Sequence, residues 1–503
     1  VTKNESKKMS AVVVEVSTSA AKGRALVAAR DVVAGEVVVD ELPILLSVYD
    51  DAKGLACARC LRALNGGGDG SNGVPCLSCR QVAFCSAACA AAAEREPWVH
   101  APATCRAYAA GLAALPEAPP ATSADNDNAD AAAATEARSA LRFLIQALAL
   151  RALAMQQHAA SGQADPITSE GAARYAQLLS LCVAGGPAAS AAASAVRALL
   201  PALAAAVGGV DALPPEDEIA ALLSREQANS FAVEAPPLPP SKPAAPKKKG
   251  GASGPSANAP KPPRRRLLGG ALYAHASLVN HECLPNVARF DDFVPTLASS
   301  AAAGSSPLEG PATAVQGRLR LVALHALPKG TELALSYTPL RWPAAKRRAH
   351  CREVYGFDCA CPRCALEARA DVFRDARGGG GGGQEGDDGS DWETDDEDEE
   401  DEDGEWETEE GGEADMEEEE EEGGGAGGGG DAEAAGAGGA TTTTPAAMDP
   451  TYLHLFLLKY VCPRKGCTGG TLAPVAPGQA DVLRCNACGG ERTEAEFLAE
   501  LNG

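Results

Sequence analysis

Over residues 11–50 apolar and polar positions alternate in short β-branched runs, Val12-Val13-Val14 and then Val37-Val38-Val39, with Gly23 and Gly35 between them. A period of two with glycine punctuation predicts strands and turns. Beyond residue 105 the period lengthens. Leu141, Leu144, Ile145 and Leu148 recur at helical spacing, so 106–224 predicts packed helices. Strand-like residues resume over 267–340, where Leu333–Tyr337 reads as a strand ending in an aromatic hydroxyl. The Ala-rich stretch 186–208 is broken by Arg197 and Pro201, which argues against a membrane span, and no charged and apolar leader opens the chain.

Composition turns this pattern into several small modules. Only 4% of the 503 residues are aromatic, and alanine supplies much of the 45% hydrophobic content, too little for one large core. The net charge of -24 is misleading, because Glu385–Glu422 alone holds 26 Asp and Glu and no Lys or Arg, which leaves the remainder nearly neutral. Gly378–Gly383 and Gly423–Gly430 bracket that tract, so 365–447 reads as an acidic, Gly-rich disordered linker. Residues 235–266 read as a disordered basic loop. Its Lys247-Lys248-Lys249 and Arg264-Arg265-Arg266 suit either a nuclear-import signal or a solvated linker, and the expected location is nucleus and/or cytoplasm.

Seventeen cysteines in a chain with no leader predict reduced thiols, and their clustering predicts zinc. Cys57-x2-Cys60, Cys76-x2-Cys79, Cys85-x3-Cys89 and His100-x4-Cys105 offer eight ligands, enough for two tetrahedral sites. The expected pairing is interleaved, with Cys57, Cys60, Cys85 and Cys89 on one ion and Cys76, Cys79, His100 and Cys105 on the other. Near the end, Cys462-x4-Cys467 and Cys485-x2-Cys488 read as the two knuckles of a zinc ribbon. Four thiolates leave no open position for catalysis there, and metal would contribute about 10–16 kcal/mol to folding. A third set is Cys359-x-Cys361-x2-Cys364, which needs a fourth ligand that Cys283 can supply; Cys182 and Cys351 stay unassigned.

With Phe84-Cys85-Ser86 and Trp98-Val99-His100, segment 57–105 resembles the MYND zinc finger, although its His-to-Cys gap is one residue longer than the usual pattern. The resemblance implies either a surface for proline-rich peptides or a structural staple. It shows no basic helix with base-reading side chains, so sequence-specific nucleic-acid binding is not expected. Three further segments, Asn280-His281-Glu282-Cys283-Leu284-Pro285-Asn286, Gly330-Thr331-Glu332 leading to Tyr337, and the Cys359 cluster, resemble the NHxCxPN, GxEhxxxY and CxCxxC signatures of the SET domain. Lys22-Gly23-Arg24-Ala25-Leu26 looks like the first motif and Asn229-Ser230-Phe231 like the pre-core segment of the SET-and-MYND lysine methyltransferases.

That resemblance implies a multidomain α+β chain: a β-rich SET fold with a pseudoknot, an inserted MYND zinc finger, a helical segment and a C-terminal zinc ribbon. The expected domains are 11–56 and 225–340 for SET, 57–105 for the finger, 106–224 helical, 341–364 a post-SET zinc segment and 448–503 the ribbon. It implies transfer of methyl groups from S-adenosylmethionine to protein lysines, possible histones included, with Tyr337 and Tyr355 as catalytic residues. Lys22, Gly23, Arg24, Asn280, His281, Tyr337 and Phe357 would line the cofactor site, and about four zinc ions would be structural. No membrane partner is implied. Ala25 stands where the family prefers glycine and Glu282 where it often has serine. A carboxylate at 282 suits the site only if it points outward, and these departures support an alternative, an inactive SET scaffold acting as an adaptor through its finger.

Overall fold

The computed structural model describes residues 13–19, 22–64, 73–116, 129–160, 164–234, 267–291, 317–368, 448–464, 467 and 469–502. The expected basic loop and nearly all of the acidic linker lie outside them.

The strands in chain order are β1 (Val14–Ser19), β2 (Gly23–Ala28), β3 (Val37–Glu41), β4 (Leu45–Val48), β5 (Val74–Pro75), β6 (Ala83–Phe84), β7 (Phe231–Glu234), β8 (Leu267–Leu272), β9 (Asn280–His281), β10 (Val287–Asp291), β11 (Leu319–Ala323), β12 (Ala334–Leu335), β13 (Leu472–Ala476), β14 (Gln479–Cys485) and β15 (Glu491–Thr493). The helices are α1 (Ala87–Ala93), α2 (Pro102–Ala113), α3 (Ala129–Ala159), α4 (Pro166–Ser180), α5 (Gly186–Val207), α6 (Glu216–Asn229), α7 (Ala344–Tyr355), α8 (Pro362–Glu367), α9 (Pro450–Tyr460) and α10 (Glu494–Asn502).

Among the described residues the strands form small sheets. β3 pairs with β11, which pairs with β10, while β4 and β7 flank β8, all antiparallel. β1 and β2 form a hairpin, and β9 runs parallel to β12. The β-branched runs behave as their period requires: Val38 and Val39 enter a core with Leu26, Tyr273, Val287, Leu319, Leu321 and Leu333. Only Ala334 and Leu335 of the expected strand 333–337 pair in a ladder. The chain then leaves the sheet, which frees Tyr337 from strand geometry.

Leu141, Leu144, Ile145 and Leu148 on α3 are all buried, as the helical stripe predicts. Helix α3 is tied to the sheet by charge. The Asp50 carboxylate, just after β4, accepts from Arg138 Nε at 2.7 Å and from Arg142 Nη2 at 2.7 Å. Burial opposes that negative charge, but the two guanidiniums more than offset it and hold Asp50 below the ordinary carboxylate range. Helix α4 joins the finger to the sheet, because Arg174 lies 5.0 Å above the Trp98 ring and donates to the carbonyls of Pro43 and Ile44. By length and composition Ala188–Val207 could cross a membrane. Within the fold its Val196, Leu199, Ala202 and Leu203 are buried in the helical core.

The C-terminal segment packs on the outside of the β10–β11 ladder. Ala288, Val322 and Leu324 share a core with Phe456, Tyr460, Leu472, Ala473 and Leu483. Polar ties frame it: Gly478 N donates to Ala34 O at 2.7 Å, Asn486 Nδ2 to Arg289 O at 2.9 Å and Arg341 Nη2 to Cys462 O at 2.8 Å. Gly35 explains the closeness of the fit, since a Cβ there would stand 2.3 Å from the Ala476 carbonyl oxygen.

Candidate functional site

Among the described residues, four clusters of thiol and imidazole groups set the local architecture. Cys57, Cys60, Cys85 and Cys89 meet in one, and Cys76, Cys79, His100 and Cys105 in a second. Cys283, Cys359, Cys361 and Cys364 form a third, and Cys462, Cys467, Cys485 and Cys488 a fourth. Within each, all ligand atoms lie within 4.8 Å of one another. Sulfur pairs stand 3.7 Å apart for Cys60 and Cys85, 3.6 Å for Cys283 and Cys364, and 3.7 Å for Cys467 and Cys485. A tetrahedron of sulfurs with Zn–S near 2.3 Å has edges of about 3.8 Å, so all-thiolate and Cys3His donor sets at this spacing fit zinc. Short turns and helix starts present the pairs. In α1, Ser86 caps the helix by accepting from Cys89 N, and in α8 the Cys361 sulfur accepts from Cys364 N.

The third cluster lies where β9, the loop after β12 and the end of α7 meet. His281 is the connection. Tyr337 N donates to His281 Nδ1 at 3.0 Å, which leaves the ring proton on Nε2, 3.2 Å from Cys283 Sγ. Burial holds His281 in its neutral form, well below the usual imidazole range, with a pKa of about 4. The same histidine therefore supports a thiolate on one side and the Tyr337 backbone on the other.

Four aromatic rings converge there. Tyr337 and Tyr355 lie with centroids 4.8 Å apart, Phe357 is 6.5 Å from each, and His281 is 5.2 Å from Tyr337. The Tyr337 hydroxyl donates to Val279 O at 2.7 Å. Burial above all, with Tyr355 nearby, pushes its pKa upward and keeps it a neutral phenol. Its oxygen keeps lone-pair capacity.

Beside His281 stands Asn280, linked to Lys22 and Arg24. Lys22 Nζ pairs with Glu332 Oε2 at 3.2 Å, and Asn280 Nδ2 donates to Glu332 Oε1 at 3.0 Å and reaches Arg24 O at 3.4 Å. Gly23 begins β2 with φ +70° and has open space where a side chain would stand. Ala25 is buried in β2 opposite Ser17. Glu282 is half-buried, and burial above all, with Cys361 and Glu332 nearby, raises its pKa to about 8.

Sequence reasoning omitted three contributors. Glu332 was visible as a motif residue, yet its role in joining Lys22 to Asn280 was not. Arg347 is fully buried beside Cys283, inside a run of basic residues that reads as solvent-facing. Cys182 lies 3.5 Å from Arg24 Nη2, and no spacing linked it to the site.

No family model matches the chain. It is similar to histone-lysine N-methyltransferase ASHR2 of Arabidopsis thaliana, 27% identical over 358 residues, which cover 69% of this chain and 70% of that protein. It is also similar to histone-lysine N-methyltransferase Smyd1 of Mus musculus, 28% identical over 113 residues, covering 22% and 21% of the two chains. A SET and MYND domain-containing protein of Dictyostelium discoideum is 28% identical over 99 residues, 20% of each chain.

Proposed function

We propose that this chain, which belongs to the SET-and-MYND family, methylates lysine side chains of proteins. The observation that carries the reading is the facing pair Tyr337 and Tyr355, 4.8 Å apart, joined through His281 to Cys283. S-adenosylmethionine supplies the methyl group on a sulfonium.

The chain's own residues have three tasks. Lysine must arrive neutral, and near pH 7.4 that costs about 4 kcal/mol for an amine of pKa near 10.4. An apolar channel walled by Tyr337, Tyr355 and Phe357 lowers the cost by penalising the ammonium. Positioning supplies much of the rest. Tyr337, a neutral phenol already donating to Val279 O, offers its oxygen lone pairs at the transfer point. Lys22, Gly23, Arg24, Asn280 and His281 form the cofactor side, with Phe357 against the flat ring system. Glu332 holds Lys22 and Asn280 in place.

Under this reading the MYND finger (57–105) is inserted into a SET domain split between 11–56 and 225–340, which closes through a pseudoknot. The zinc ions are structural, the protein substrates include histones, and the site of action is nucleus and/or cytoplasm. The finger takes proline-rich peptides, and neither sequence-specific nucleic acid nor a membrane is a partner. Relatives named as methyltransferases weigh against the inactive-scaffold alternative. The test is transfer of labelled methyl to purified histones and to cell extract, with calorimetry of S-adenosylmethionine binding. Intact folding without cofactor binding would refute the proposal.

A further inference from the structure

Arg347 is the largest side chain with no exposed surface among the described residues. A guanidinium so placed is costly unless its donors and its charge are met. Here they are met by the third cluster. Nε lies 3.2 Å from Cys283 Sγ, Nη2 lies 2.5 Å from Glu367 Oε2 and 3.7 Å from Cys364 Sγ, and Nη1 donates to Trp342 O. Glu367 also accepts from Arg363 Nε at 2.7 Å, and Arg363 Nη1 donates to Cys283 O at 3.2 Å.

A divalent ion held by four thiolates carries a net charge of about -2, an unfavourable charge to leave in a buried site. Arg347, paired also with Glu367, offsets part of it while donating to sulfur. It also belongs to α7, the helix that ends at Tyr355. Cys283 thus takes an N–H from Arg347 on one side and one from His281 on the other, and His281 carries the Tyr337 amide.

We propose that Arg347 is a positioning residue that offsets part of the negative charge of the tetrathiolate centre and, through it, fixes α7 so that Tyr355 faces Tyr337. The second half rests on the reading of these tyrosines as the transfer site. The first half does not.

The experiment compares full-length, zinc-loaded wild type with Arg347→Met and Arg347→Lys, all checked for folding by circular dichroism. Zinc release to excess chromophoric chelator is followed by stopped flow, the thiolate-to-metal band is recorded after cobalt substitution, and S-adenosylmethionine affinity and turnover are measured separately. In Arg347→Met one zinc equivalent should leave about 10- to 100-fold faster while the rest leave at the wild-type rate, the range for loss of a partner of a metal ligand. Its cobalt band should shift. Arg347→Lys, which keeps the charge but not the fork, should fall between the two. Turnover should drop with cofactor affinity retained.

Wild-type release in both variants overturns the proposal, and so does uniform acceleration of every equivalent, which reports general loosening. If Arg347→Met does not fold, Arg347→Lys decides alone, and wild-type release in it overturns the proposal. An inactive wild type with accelerated release in the variants sinks the methyltransferase reading, and the Tyr355 half with it, while the charge-offsetting half stands.

Discussion

The Tyr337 amide donates to His281 Nδ1 across 3.0 Å, joining residues 56 apart in sequence. Removing a ring used on both nitrogens leaves one backbone donor without a partner and takes from the Cys283 sulfur one of its two N–H donors, Arg347 keeping the other. Each buried polar group without a partner costs about 1–3 kcal/mol. His281→Leu should lower the unfolding free energy by about 1–3 kcal/mol and reduce methyl transfer by more than tenfold, measured by urea denaturation and labelled-methyl assay. Unchanged stability would show that the two contacts are idle.

Tyr337→Phe keeps the ring against Tyr355 and Phe357 and deletes one oxygen. Loss of a positioned polar group at a reaction centre costs about 10²–10³ in rate. Turnover should fall by that order while S-adenosylmethionine affinity stays near wild type and stability drops only by the about 1 kcal/mol of the lost bond to Val279 O. A variant as fast as the parent would exclude the hydroxyl from the transfer step.

Glu332 joins Lys22 to Asn280, both on the proposed cofactor side. Its ion pair with Lys22 is partly exposed, with side chains 48% and 32% accessible, so the charge contributes only about 0.2–1 kcal/mol. The hydrogen bond to Asn280 adds about 1 kcal/mol. Glu332→Ala should therefore weaken S-adenosylmethionine binding about 5- to 30-fold by calorimetry, with the loss partly masked at high salt.

Asp50 gives a test in the fold itself. It is a buried anion between two buried cations, and removing one member of such a set costs about 3–5 kcal/mol. Asp50→Ala should lose that much stability at pH 7. Because the folded-state pKa is depressed, this stabilisation is complete above the unfolded carboxylate value of about 3.9 and fades as pH falls through the lower folded value. Wild type and variant should therefore converge in stability below pH 4, and a constant gap down to pH 2 would contradict the assignment.

Metal content provides a count. The intact protein should hold about four zinc ions by elemental analysis, and stripping them under reducing conditions should unfold the C-terminal module, read as loss of protection in Leu472–Cys485 by hydrogen exchange. Retention of that protection without metal would show that packing on β10 and β11 suffices.

How much could be read from the chain depended on how far each signal reached. The cysteine pairs were legible because ligand spacing is short and local, and the structure groups the same sixteen residues into four clusters. Leu141 to Leu148 were legible because a helix writes its buried face at a fixed period. Arg347 was hidden for the opposite reason. Lys346-Arg347-Arg348 looks uniformly solvated, and only the distant Cys283 and Glu367 draw the middle residue inward. Glu282 likewise sits half-buried near Cys361, a circumstance no local pattern encodes. The seating of the last segment on β10 and β11 was unreadable across the intervening tract, since nothing in strand composition names the surface that will cover it.

The joint at Gly35 decides how any shortened version of the chain should be cut. Stopping before residue 448 would strip the outer cover from Ala288, Val322 and Leu324, neighbours of the Cys283 loop, and expose apolar surface prone to self-association. Only internal excisions that retain 448–502 can separate what the acidic tract does from what the strands beneath lose.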